Sequence, residues 1–208
     1  MNSTNYILAI EAAIAGGSIS LLHDGVEIDS DAGHVAKGEL LLDKIRSLLV
    51  ANDIRLDQVG RIAVGAGPGS FTGIRIGIAT ALGLQKGCDA AVNILPTLES
   101  IAQADGRDGI FHVAIPTGRG AVAVQRFERA GQVLSSTVPA KVIPEADLGD
   151  SISHDASRYL LHHEIATKLE PGNPNIVDIG RNIARAIGLF AYKHPDAQDE
   201  PLFLSKEF

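Results

Sequence analysis

The 208-residue sequence is poor in aromatic and sulfur-bearing side chains: one cysteine, no tryptophan, three tyrosines and six phenylalanines. With Cys88 alone, an internal disulfide and a thiolate metal cluster are excluded, and the residue reads as a small buried hydrophobe in a reducing compartment. Few aromatics and 22 glycines imply an interior of Ala, Gly, Ile, Leu and Val, in which backbones approach closely. Basic runs are also missing. Lys and Arg number 18 against 25 Asp and Glu, for a net charge of -7, so no cationic stripe is available to neutralise a nucleic-acid backbone. No run of about 18 apolar residues occurs, and the opening MNSTNYILAIEAA lacks the basic region of a signal peptide. The expectation is a soluble, cytoplasmic protein without membrane contact.

What is present is a chain with 45% hydrophobic residues, enough to bury a core as one domain or two small lobes. YILAIE (6–11), SISLLHDG (18–25) and VEIDS (26–30) read as three strands, the last two joined at Asp24-Gly25 by a two-residue hairpin turn. Residues 35–51 place Leu41, Ile45, Leu48 and Leu49 at helical spacing. RIAVGAG then supplies an apolar strand, IRIGIATALGLQKG a helix, AAVNIL a strand, and a short helix begins at Thr97. A polar, glycine-rich stretch at 104–109 marks a lobe boundary. Beyond it IFHVAIP, GAVAVQRFE and QVLSSTVPA echo the opening meander, and a helix is expected over 176–193.

Between strand and helix, GAGPGSFTGIRIG (65–77) poses the functional question. A Walker A loop requires Gly-Lys-Ser/Thr at its end; Ile74 stands where the lysine would follow Gly73. GPGSFT (67–72) partly meets the dinucleotide pattern G-x-G-x-x-G, with Asp89 at about the right distance, but Thr72 replaces the third glycine. Along the following helix Gly73, Gly77 and Ala81 fall on one line beside an Ile74, Ile78, Leu82 stripe. Each interior glycine costs about 1 kcal/mol against alanine, so close packing has to offset it. The chain's own sheet accounts for one face, and the other invites a second helix, from residues 35–51 or from a partner molecule.

Chemistry within the chain finds little support. His34 has Gly38 four residues on, where a metal pair on a helix needs a second histidine. The adjacent His162 and His163 diverge on a helix and read as solvated. Glu11, at a strand end, reads as a solvated carboxylate without a nucleophile nearby. Ser70 and Thr72 read as helix N-caps.

Together ILAIE, the His34 helix, IAVGAGPGSFTGIRIGIATALGLQKG, LPTLESIA and the closing PLFLSKEF identify a divergent member of the TsaB (YeaZ) family. That family supplies the partner subunit in bacterial synthesis of threonylcarbamoyladenosine on tRNA. The resemblance implies an α/β, actin-like (ASKHA, RNase H-like) two-lobe fold with mixed sheets and a shortened second lobe. Residues 1–104 would form the first lobe and 105–208 the second, with the final helix free to pack back on the first. It implies a non-catalytic scaffold that pairs with its paralogue TsaD, and with itself when TsaD is absent. A TsaE-type ATPase completes the family's assembly, ATP and metal belong to the partner subunits, and tRNA is met only indirectly.

The sequence departs from the family where nucleotide chemistry would sit. Asp followed by Thr or Ser after the first strand is replaced by Glu11, Ala12 and Ala13, and the second-lobe D-A-R-x-G-E-V-Y pattern by PTGRGAVA (116–123). No catalytic, cofactor or metal residue is therefore assigned. The expected partner surface is Leu41, Ile45 and Leu48 of the first helix with Gly73, Ile74, Gly77, Ile78 and Ala81 of the second. On that view Gly77→Arg abolishes pairing and leaves the monomer folded. The competing readings are a nucleotide-dependent enzyme of the actin-like class, a dinucleotide-binding enzyme, and a metallopeptidase.

Overall fold

The computed structural model describes residues 6–35, 38–136, 138–154, 157–169 and 172–201; the closing motif over 202–208 lies outside them. β1 (Tyr6–Glu11) is buried on both faces beyond its first residue, as expected of a strand covered by helices above and below. β2 (Ser18–His23) and β3 (Val26–Ala32) return antiparallel, and Asp24 and Gly25 both take positive φ in the turn between them. α1 (Gly38–Ala51) leads through a 3-10 turn at Leu56–Gln58 into β4 (Val59–Gly65), parallel to β1. α2 (Phe71–Gln85), β5 (Ala91–Leu95) and α3 (Thr97–Asp105) complete the lobe.

The second lobe repeats this scheme. β6 (Gly109–Gly118), β7 (Ala121–Ala130) and β8 (Val133–Ser135) form a meander, with β9 (Lys141–Pro144) also pairing with β7. After α4 (Glu145–His154), β10 (Arg158–Leu161) runs parallel to β6; α5 (His163–Ala166) leads to β11 (Ile176–Asp178), parallel to β10. α6 (Ile183–Lys193) closes the described helices. Sheet orders are β3-β2-β1-β4-β5 and β11-β10-β6-β7-β8: each is a meander extended by two parallel strands. Two such sheets facing one another across shared helices make an actin-like fold.

Alternation along the strands decides which helices go where. Leu8, Ile10, Ile62 and Val64 point to one face, where Leu41, Ile45, Leu48 and Leu49 of α1 and Ala81 of α2 cover them. Ile7, Ala9, Ala63 and Leu95 point to the other, joining α3, α6 and the inner face of the second sheet at Phe111, Val113, Ile115 and Phe127 in one core. α6, although last in sequence, lies against β1 and β2 of the first sheet. Arg158 donates to Asp105 at 2.7 Å and Arg129 to the Ala102 carbonyl at 3.1 Å, tying the end of α3 to the second lobe.

The late helix differs from expectation. The helix expected over 176–193 is a strand, β11, followed by a turn and then α6. Asn182 starts the helix late because its side chain accepts from the Arg185 amide and caps it. Beyond α6 the chain runs along β5, the edge of the first sheet. There Asn93 donates to the Pro195 and Ala197 carbonyls, and Gln198 bonds both Ile94 N–H and Val92 C=O with its side chain.

Candidate functional site

Parallel strands of both sheets end on a common cleft, the position at which open α/β sheets place ligands. The cleft, about 320 Å³, is lined by Ala12, Ala13 and Gly16 after β1, Ser70, Thr72 and Gly73 at the start of α2, and Pro116, Thr117, Gly118 and Glu164 from the second lobe. The glycine stretch therefore borders a nucleotide-sized opening. Its glycines, however, are spent on the chain itself. A β-carbon on Gly69 would stand 2.7 Å from that of Ala13, and the Ser70 amide donates to the Ala13 carbonyl at 2.9 Å. The loop is a socket for the β1–β2 turn.

That turn is closed from inside by Glu11. Its carboxyl oxygens accept from the Ala13 amide at 2.6 Å and the Ile14 amide at 3.1 Å. Amides that would otherwise point at an anion are thereby occupied by a side chain. Glu11 is not the solvated carboxylate expected: it is 2% exposed. Burial pushes its carboxyl up to about 8, against the smaller opposite pull of the two amides. Among the described residues no Lys or Arg lines the cleft, and its acidic residue, Glu164, is held by Arg181 at 3.2 Å. Such a lining offers polyphosphate no side-chain cation among the described residues.

The remaining expected groups are distributed as follows. Ser70 does cap α2, accepting from the Gly73 amide at 3.3 Å. Thr72 does not; it lies within the first turn, exposed toward the cleft. His162, expected in solvent, is buried after β10 and caps α5 by accepting from the Glu164 amide at 3.2 Å. Desolvation holds it down at about 4, so at neutral pH the ring is uncharged with its proton on Nε2. His163 does remain partly in solvent, bonded to Asp178 at 2.8 Å. Among the described residues no three His, Cys, Asp or Glu side chains gather as a metal site, and no helix is long and apolar enough to cross a membrane.

The expected partner surface needs correction. Leu41, Ile45, Leu48, Gly73, Ile74, Gly77 and Ala81 are all buried within the protomer, and Ile78 is half-buried. A β-carbon on Gly73 would meet the Ala12 carbonyl and one on Gly77 the Val64 side chain, so the small-residue line serves the chain's own sheet. Gly77→Arg would thus disrupt the fold before any pairing. What α1 and α2 expose is a different set: Leu40 at 41%, Leu42 at 53%, Val50 at 66%, Leu82 at 44% and Phe71 at 50%. The signal was legible, since Leu42 and Val50 are apolar residues off the core stripe of α1.

The family profile described as TsaD, tRNA N6-adenosine threonylcarbamoyltransferase, matches residues 35–187. The tRNA threonylcarbamoyladenosine biosynthesis protein TsaB of Bacillus subtilis is 30% identical over 145 residues, 68% of this chain and 63% of its own length. The chain belongs to the TsaB branch of this family. Proteins of the same name from Haemophilus influenzae and Escherichia coli are 33% and 34% identical over 47% and 49% of the chain, and 42% and 44% of their own lengths. The matches thus span less than two thirds of each relative. Among solved structures, YeaZ from Pseudomonas aeruginosa superposes with a TM-score of 0.69 at 20% identity, over 96% of this chain and all of that one. A second Pseudomonas aeruginosa structure, described as similar to peptidase YeaZ, gives 0.69 at 22% identity, over 97% of this chain and 100% of that one. These support the actin-like fold.

Proposed function

We propose that the chain serves threonylcarbamoyladenosine modification of tRNA as a non-catalytic subunit that pairs with a TsaD-type paralogue through the outer faces of α1 and α2. The observation that carries this reading is the state of the cleft. Glu11 occupies the turn amides, hydroxyls are absent at Ala12 and Ala13, and among the described residues no cation lines the opening. The names of the relatives supply the pathway. In this reading ATP and metal sit in the partner subunits, a TsaE-type ATPase completes the assembly, tRNA contacts the partner, and the complex works in the cytoplasm. Alone, the chain pairs with a second copy.

Reconstitution tests it. Cognate TsaD-type and TsaE-type proteins, assayed for modified tRNA, are expected to require this chain, and an unchanged yield in its absence overturns the proposal. The rival enzyme reading has a direct check as well. Calorimetry with ATP, ADP and NAD on the isolated chain should give no sub-millimolar binding.

A further inference from the structure

Resting on that pairing, the charge of the outer face says what kind of surface it accepts. Between the C-terminal halves of α1 and α2 lies a groove of about 320 Å³, walled by Leu42, Leu49, Val50, Ile54 and Leu84. Its charged lining residues are Arg46 and Arg55. Arg55 is engaged with Asp57 at 2.6 Å; Arg46 has no ion-pair partner among the described residues. The exposed stripe of α2 and its C-cap carry two more cations without an ion-pair partner among the described residues, Arg75 and Lys86, on either side of Leu82. Arg75 is held in place by stacking over the Phe71 ring at 3.9 Å, which limits the entropy lost when it meets a partner.

Among the side chains described on these helices, which do not include that of Glu39, no acid balances them. α2 contains neither Asp nor Glu, and Asp43 of α1 faces away, into a separate hollow with Asp29, Asp31 and Lys44. In a chain of net charge -7, a patch combining exposed Leu and Val with unpaired cations runs against the overall composition. We infer that this face receives a partner surface that is apolar at its centre and carries carboxylates at its rim. A second copy presents the same cations, so self-pairing across the face works against like charge, whereas an acidic partner gains from it.

The test compares the dissociation constants of the two pairings with salt. Binding of the full chain to the TsaD-type protein of the same genome should weaken about tenfold between about 0.05 and 0.5 M NaCl, as screening shortens the range of rim charges. Self-association should tighten over the same range. Arg46→Glu with Arg75→Glu should weaken partner binding about a hundredfold at low salt and flatten its salt dependence, with an unchanged circular dichroism melt. Salt-independent partner binding, equal in wild type and charge variant, overturns the inference, as does self-association that weakens with salt. Leu42→Ser with Val50→Ser separates the two levels. If it alone weakens binding, the face pairs but charge does not select; if it too binds like wild type, pairing through this face is lost as well.

Discussion

Gly73 and Ala12 touch backbone to backbone: a β-carbon on the glycine would lie 2.2 Å from the Ala12 carbonyl oxygen and 2.7 Å from the Ala13 α-carbon. The start of α2 therefore docks against the turn after β1 with no side chain between them. Gly73→Ala forces two main-chain segments apart and should destabilise by about 2 to 4 kcal/mol in urea unfolding. Gly83, in the same helix, has nothing within 4 Å of the equivalent position, so Gly83→Ala should stabilise by about 1 kcal/mol. Equal effects at the two sites would mean that helix propensity, not contact, governs both.

Glu11 should make stability depend on pH. Its folded-state carboxyl titrates at about 8, above its ordinary value of 4.5. The folded chain thus holds a proton that the unfolded chain releases. The contribution is complete below pH 4.5 and is lost as pH rises through 8. Glu11→Gln keeps the shape without the titration, at a cost of about 1 to 2 kcal/mol for one mismatched amide contact. Its urea midpoint should be flatter than that of wild type across this window; parallel curves would show that Glu11 does not titrate there.

His162 has the opposite sign. Held down at about 4 from an ordinary 6.5, it contributes stability that is complete above pH 6.5 and disappears as pH falls through 4. Protonation at Nδ1 would also break the cap it provides to the Glu164 amide. His162→Asn retains a capping oxygen without a titrating ring. Acid unfolding followed by circular dichroism should begin at lower pH in this variant, and an unchanged onset would assign acid sensitivity elsewhere.

Asn93 anchors the segment that covers the edge of the first sheet, donating to Pro195 at 3.0 Å and Ala197 at 2.7 Å while itself 3% exposed. Asn93→Ala takes the donor from the Ala197 carbonyl and leaves the Pro195 carbonyl to Arg61 alone, and should release residues 195–199. Hydrogen exchange at Ile94, whose amide is bonded to Gln198, should then accelerate at least about tenfold, equivalent to about 1.4 kcal/mol of local opening, with little change at β1.

Much of the architecture could be read from local pattern. The two meanders, the Asp24-Gly25 hairpin and the amphipathic α1 each rest on residues close in sequence, so spacing alone reveals them. The start of the late helix departs from its spacing because VDIGRN is compatible with helical periodicity, whereas pairing with β10 makes 176–178 a strand. Glu11 and His162 depart from expectation for a related reason: polarity predicts solvent, but each is buried and finds backbone amides to bond.

The sequence by itself determined that the chain would fold as two repeated α/β lobes, that α2 would need bare backbone along one edge, and which family it joins. Those properties follow from periodicity and from residue types that tolerate few alternatives. Only the tertiary structure decided against what that edge is pressed, that the cleft amides are already occupied, and which apolar residues remain outside. Burial depends on what distant segments bring to a surface, and helical spacing specifies a face without specifying its neighbour.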